Sequence, residues 1–231
     1  MSYALLLLAL IDVWLLVWAA RHVAAQPRNL ALVTQATALV LLWFDCFTVA
    51  AGGWIGAGPL LETMSRVRFV WFYFTMPLLF IGSIALLAQA GFRWAQPRWL
   101  VIVATVAAVV FIAIEVPRAW TADYHTACFG ETLRYIGKVP VGQACMAGED
   151  GLGEAAFTPV IPLVFLAVML TGLLLWIRRG WAWLGVSALA FLGATLIPTS
   201  IVGPFLTYPL DTLMTAAFVL AALHFPPAAR A

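Results

Sequence analysis

Seven apolar stretches, near residues 2–20, 28–50, 69–90, 97–116, 156–177, 181–199 and 204–224, take up most of this 231-residue chain. Each approaches the roughly 20 residues that a helix needs to cross the hydrocarbon of a bilayer. Lipid offers no hydrogen bonds to open backbone groups, so such stretches fold as helices packed side by side. Only 10% of the residues are charged, against about 25% in soluble proteins, and nothing long enough for a soluble domain remains between the spans. The expectation is all-α: residues 1–231 as a single integral membrane domain, a seven-transmembrane-helix bundle. A formal net charge of +2 carries no basic field for nucleic acid. The expected partner is membrane lipid, with other membrane subunits or a homo-oligomer left open, and no nucleic acid.

Orientation follows from the basic residues, which concentrate in cytoplasmic loops. Arg21, Arg28, Arg93, Arg98, Arg178, Arg179 and Arg230 share one side, and Arg66, Arg68, Arg118, Arg134 and Lys138 the other. The first side is read as inner, which puts the N-terminus outside and the C-terminus in the cytoplasm of a bacterial inner membrane. Trp94, Trp99, Trp176, Trp181 and Trp183 fall at the inner boundary and Trp54 and Trp120 at the outer one, where interfacial anchors belong. The first stretch lacks a basic leader and is interrupted by Asp12, so it reads as a retained helix rather than a signal peptide.

Cys128 and Cys145 lie in the long loop between the fourth and fifth spans, on the side where disulfides persist. They are expected to be bonded, which would contribute roughly 3 kcal/mol by chain entropy. Cys46, alone on an apolar span, is expected to pack. Two outer excursions, about 51–68 and 117–155, contrast with short inner connections. The first, with Gly52, Gly53, Gly56, Gly58 and Pro59, reads as turns or a short hairpin. The second can form a lid.

Ionisable residues inside spans are costly and by default mark function. Asp12, Asp45, Glu115 and Asp211 qualify. Running each helix in its expected direction brings Asp45, Glu115 and Asp211 into the outer half with Arg66 and Arg68, Arg68 and Asp211 being the favoured pair. On the third span Arg68, Phe72, Thr75 and Leu79 share one face, above the bend expected at Pro77. That face lines a ligand pocket or simply packs. The polar, kinked end of the sixth span, Thr195, Pro198, Thr199 and Ser200, suits a pocket wall. Glu149, Asp150 and Glu154 lack the spacing of a calcium loop and read as a solvated acidic loop. His22, His125 and His224 are too scattered for haem or metal ligation, and no metal site, phosphate loop or nucleophile elbow is recognised.

The third span, Arg68-Phe69-Val70-Trp71-Phe72-Tyr73-Phe74-Thr75-Met76-Pro77-Leu78-Leu79, resembles helix C of the microbial rhodopsins, and Asp211-Thr212-Leu213-Met214-Thr215 resembles their helix G. The resemblance covers two helices and the topology. It implies that Arg68 matches the arginine of the counterion cluster, Asp211 the helix G counterion, and Phe72 and Met76 pocket walls. Departures accompany it: Trp71 stands at the helix C carboxylate, Gly82 at the inner proton donor, and Thr215 where the retinal-binding lysine should be. A threonine forms no imine, and the only lysine is Lys138, so covalent retinal is not expected. What the resemblance implies is a chromophore-free relative that binds a small apolar or amphipathic ligand, such as a non-covalent carotenoid, retinoid or quinone, in an outward-facing pocket of the third, fifth, sixth and seventh spans. A non-catalytic subunit of a membrane complex, a small proton- or cation-coupled transporter, and a lipid- or isoprenoid-modifying enzyme remain as alternatives. No catalytic residues are assigned.

Overall fold

A computed structural model describes residues 1–153, 158–197, 201 and 205–227. It is mostly helical: α1 (Ser2–Ala25), α2 (Leu30–Ile55), α3 (Pro59–Thr75), α4 (Leu78–Gln89), α5 (Arg98–Thr121), α6 (Val160–Arg179), α7 (Trp183–Thr195) and α8 (Thr207–His224). Among the described residues five segments, against the seven expected, are long and apolar enough to cross a membrane: α1, α2, the combined Pro59–Gln89, α5 and α6. The shorter α7 is also apolar. Pro77 separates α3 from α4, because it lacks the N–H and its ring crowds the carbonyl four residues back. Large apolar side chains stand exposed along α1 (Leu7, Leu10, Trp14), α5 (Ile102, Val106, Val109) and α6 (Leu163, Leu166, Leu170). An apolar surface of this extent marks a face that meets lipid or protein rather than water.

Helix α2 is central and packs on α1, α3, α4 and α8, while α6 bridges α4 and α7, and α7 leads to α8. The main core joins Leu32, Leu39, Leu86, Val168, Leu175 and Phe218 from α2, α4, α6 and α8. At one end Asn29, fully buried, donates to the Ala222 carbonyl at 3.1 Å and accepts from Gln89 at 3.0 Å. One side chain thereby ties the start of α2 to the ends of α4 and α8.

The opposite end is not all-α as expected. A β-hairpin, β1 (His125–Phe129) and β2 (Thr132–Ile136), pairs antiparallel with Cys128 opposite Leu133. Its two-residue turn begins at Gly130 with φ of 58°, the left-handed value a type II′ turn asks of its first central residue. The Cys128–Cys145 disulfide forms as expected, and Cys128 N–H donates to the Gln143 carbonyl at 2.7 Å. The following segment thus folds back over β1. Asp150 holds it there by accepting from the backbone N–H groups of Gly142 (2.9 Å) and Ala144 (3.2 Å).

The first excursion also differs from the expectation of turns or a short hairpin. Gly52 and Gly53 lie inside α2, which runs on to Ile55, and α3 starts already at Pro59. A Cβ on Gly52 would collide with the Leu133 carbonyl, and one on Gly53 with that of Glu131. Glycine lets the hairpin backbone rest directly on the helix. Met1 also lies at this end, its ammonium 3.5 Å from Glu131. Glu154, Pro198, Thr199, Ser200 and Arg230 lie outside the described residues.

Candidate functional site

Two groups of polar side chains form beneath and beside the hairpin. In the first, Arg68 on α3 is buried and its Nη1 stands 3.1 Å from Asp45 Oδ1 on α2. Its Nη2 donates to the Tyr135 carbonyl of β2 at 3.2 Å. The guanidinium thus joins two helices and the hairpin. Asp45 also accepts from the hydroxyl of Tyr208, which α8 brings in. Arg134 reaches down from β2 into the same region and donates to Gln143 Oε1. Burial lowers the pKa of Arg134, its first cause, and the like charge of Arg68 adds to it, against the favourable fields of Tyr208 and Asp45.

The favoured pairing of Arg68 with Asp211 is therefore not the one formed: the ion pair of Arg68 is with Asp45. The carboxylates that act on Asp211 are those of Asp45 and Asp12. Asp12, fully buried on α1, accepts from Thr212 Oγ1 at 2.8 Å, and the Cys46 thiol turns to the same carboxylate. One buried polar layer therefore links α1, α2 and α8 below the Arg68 pair. Among the described residues no three His, Cys, Asp or Glu side chains are placed to hold a metal ion.

Phe72, Thr75, Met76 and Thr215 were expected to line a pocket. Thr75, Met76 and Thr215 are buried. Thr75 Oγ1 donates to the carbonyl of Trp71 at 3.0 Å in its own helix. Phe72 and Met76 pack in the main core. Gly82, at the proton-donor position of the resemblance, instead brings α4 against Thr34, into which a Cβ there would run.

The second group surrounds a cleft of about 640 Å³ between α3, α5 and the hairpin loop. Phe69 and Tyr73 form its α3 wall, Glu115, Arg118 and Ala119 its α5 wall, and Ala122 to His125, Ile136 to Lys138 and Gly153 its rim. The structure thus separates Glu115 from Arg68 and Asp45, with which it was expected to share one vestibule. Its neighbours are Arg118, whose Nη1 lies 3.5 Å away, and Tyr73.

A column of rings and cations makes the partition between the two groups. Phe69 and Tyr124 stack at 5.1 Å and 12°, Arg68 lies 4.5 Å from the Phe69 centroid, and Arg66 lies 5.1 Å from that of Tyr124. Each cation sits within the distance at which a ring quadrupole attracts it. Arg66 is fixed by Glu62 at 3.0 Å and by the carbonyls of Trp120 and Ala122. Tyr124 Oη donates to the Ala119 carbonyl at 2.7 Å. Burial pushes the phenol of Tyr124 up to about 12.

Arg134 and Tyr208 in the first group, and Phe69, Tyr73, Arg118, Tyr124, His125 and Lys138 around the cleft, are site residues that sequence reasoning missed. For Arg134 a signal exists: Gly130-Glu131 flanked by alternating β-formers is a hairpin pattern, and in β2 Thr132 and Arg134 share the buried face. Among the described residues there are also two apolar hollows, one between α4, α5 and α6 around Ala104, Ala107 and Leu170, the other between α6 and α7 around Phe165 and Phe191. No protein-family model, curated protein or solved structure matches the chain.

Proposed function

We propose that this chain is a seven-span, rhodopsin-like bundle of the bacterial inner membrane, hairpin end outward and C-terminus in the cytoplasm, that binds a small amphipathic ligand without covalent retinal. The observation that carries the reading is the cleft between α3, α5 and the hairpin loop. Its volume of about 640 Å³ falls in the range of small-molecule sites, and apolar walls with a few converging polar groups are their usual make-up. Phe69, Tyr73, Ala119 and Ile136 offer the apolar surface, and Glu115, Arg118, His125 and Lys138 the polar groups. The pocket of this proposal lies on the third and fourth spans, not on the third, fifth, sixth and seventh.

Support for the rhodopsin-like arrangement comes from the buried arginine of the third span above a proline break and from the seventh-span aspartate close to buried carboxylates. Support for the orientation comes from the disulfide, which belongs in an oxidising compartment. The test is purification in mild detergent followed by native mass spectrometry and an absorption spectrum. A retained small molecule that the cleft-filling variant Ala122→Trp loses supports the reading. A ligand retained equally by both forms, or none from either, overturns it.

One observation favours a second reading, proton- or cation-coupled transport. Polar side chains continue inside the bundle beyond Asp12: Gln35 and Thr34 on α2 and Ser83 on α4 are buried, although the sequence makes the inner halves look almost purely apolar. A transporter would move protons in proteoliposomes, and Asp12→Asn would stop it.

A further inference from the structure

The cleft carries a separation of charge that says more about its occupant. Resting on the ligand-binding reading, we propose that it takes a compact zwitterion, an ammonium group a few bonds from an anionic group, with the ammonium held inward on Glu115 and the anion at the mouth beside Arg118 and Lys138.

Glu115 is the deep charge. It lies on α5 six residues before the helix ends at Thr121, about 9 Å down the axis at the rise of an α-helix. Its side chain is 3% exposed, against 65% for that of Arg118. The 3.5 Å between them is long for a charge-assisted hydrogen bond, which closes to about 2.7–2.9 Å. An inward carboxylate held so loosely by a solvent-directed arginine is suited to a second cation. Lys138 and Asp123 are exposed on the rim, so Arg118 and Lys138 balance Glu115 and Asp123. Among the described residues the lining is thus without net charge, acidic at its base and with both cations toward the mouth, an arrangement that discriminates against a ligand of net charge and orients a zwitterion.

The walls select what joins the two charges. Phe69 and Tyr124 occupy one another's faces and are flanked by Arg68 and Arg66. An aromatic ligand therefore meets ring edges, the T-shaped contact that aromatic pairs favour. An α-amino acid with an aromatic side chain meets these demands. So does the headgroup of an aminophospholipid, which carries the same ammonium and anion on an acyl body.

The experiment titrates the full-length chain in phosphatidylglycerol nanodiscs, which contain no ammonium lipid, with L-tryptophan and its two half-charged relatives, tryptamine and indole-3-propionate. Binding is read by calorimetry. The expected result is that L-tryptophan binds at least tenfold more tightly than either relative. Glu115→Gln then weakens L-tryptophan and tryptamine tenfold and leaves indole-3-propionate within twofold. Lys138→Ala, on the exposed loop and free of folding concerns, weakens indole-3-propionate and L-tryptophan but not tryptamine.

Were the natural source lipid, phosphatidylethanolamine added to the discs would bind in a Glu115-dependent way and L-tryptophan would not, which also supports the shared chemistry. Equal binding of all three indoles, abolished by Ala122→Trp, overturns the zwitterion and leaves the ligand cleft standing. No binding of any probe, lipid included, overturns the zwitterion, and the cleft itself falls only if no molecule is retained on purification either.

Discussion

Arg68 Nη1 stands 3.1 Å from Asp45 Oδ1 with the guanidinium buried between α2, α3 and the hairpin. Removing one partner of a buried pair leaves the other charge uncompensated, at a cost of roughly 3–5 kcal/mol. Arg68→Ala is therefore expected to lower the thermal unfolding temperature sharply in detergent, and Asp45→Asn in the same background to restore part of the loss. A double-mutant cycle is expected to give a larger coupling for Arg68 with Asp45 than for Arg68 with Asp211→Asn. Equal couplings would contradict the observed pairing.

This pair also shows where sequence reasoning stops. Hydropathy marks the apolar stretches well because lipid imposes one length and one backbone solution on each of them. It also marks Arg68, Asp45, Glu115 and Asp211 as costly. Which acid Arg68 meets depends on the rotation of α2 and α8 about their axes. Apolar periodicity reports that rotation poorly when apolar residues cover most of a helix, as they do in α2 and α8. The cleft was harder still, since half of its lining comes from irregular loop. Phe72 and Thr75 were assigned to a pocket from their shared helical face, yet the open face of α3 is the adjacent one, Phe69 and Tyr73. The disulfide was read correctly from two cysteines in one loop, whereas the hairpin was expected near residues 51–68 and forms instead at 125–136, where only the short turn at Gly130 signals it.

Cys128 and Cys145 are 17 residues apart in sequence, and closing a loop of that size removes about 3 kcal/mol of denatured-chain entropy. The double variant Cys128→Ser, Cys145→Ser is expected to unfold at lower temperature and to lose hydrogen-exchange protection first in β1 and β2. Reductant is expected to reproduce the effect in the parent and to leave the double variant unchanged. A reductant effect of equal size in both proteins would show that the bond is not its source.

Gly52 has no side chain because the Leu133 carbonyl occupies the space. Gly52→Ala must push the hairpin off α2, an overpacking strain of roughly 1–3 kcal/mol. The expected readout is faster proteolysis within residues 125–136 and a lower unfolding temperature. Gly193→Ala in α7, where nothing lies within 4 Å of the added carbon, is the control and is expected to be neutral or stabilising by up to about 1 kcal/mol from helix propensity. If Gly52→Ala is as silent as the control, the hairpin does not rest on α2.

Tyr124 provides a pH test outside the spans. Its phenol is raised to about 12, first by burial and then by the field of Tyr73, with Arg66 and Arg68 opposing. The unfolded chain ionises it near the ordinary value of about 10. Between the two values the unfolded state has lost a proton that the folded state still holds, so stability falls as pH rises. Below about pH 10 the contribution is intact, and it is lost as the pH passes through about 12. Tyr124→Phe keeps the stack on Phe69 while removing the titrating group and its bond to Ala119. The variant is expected to start less stable, to decline less steeply on alkaline titration, and to lack the most alkaline part of the phenolate absorbance rise. Parallel decline of parent and variant, followed by their unfolding temperatures from about pH 9 to about pH 12, would show that burial does not hold Tyr124 neutral.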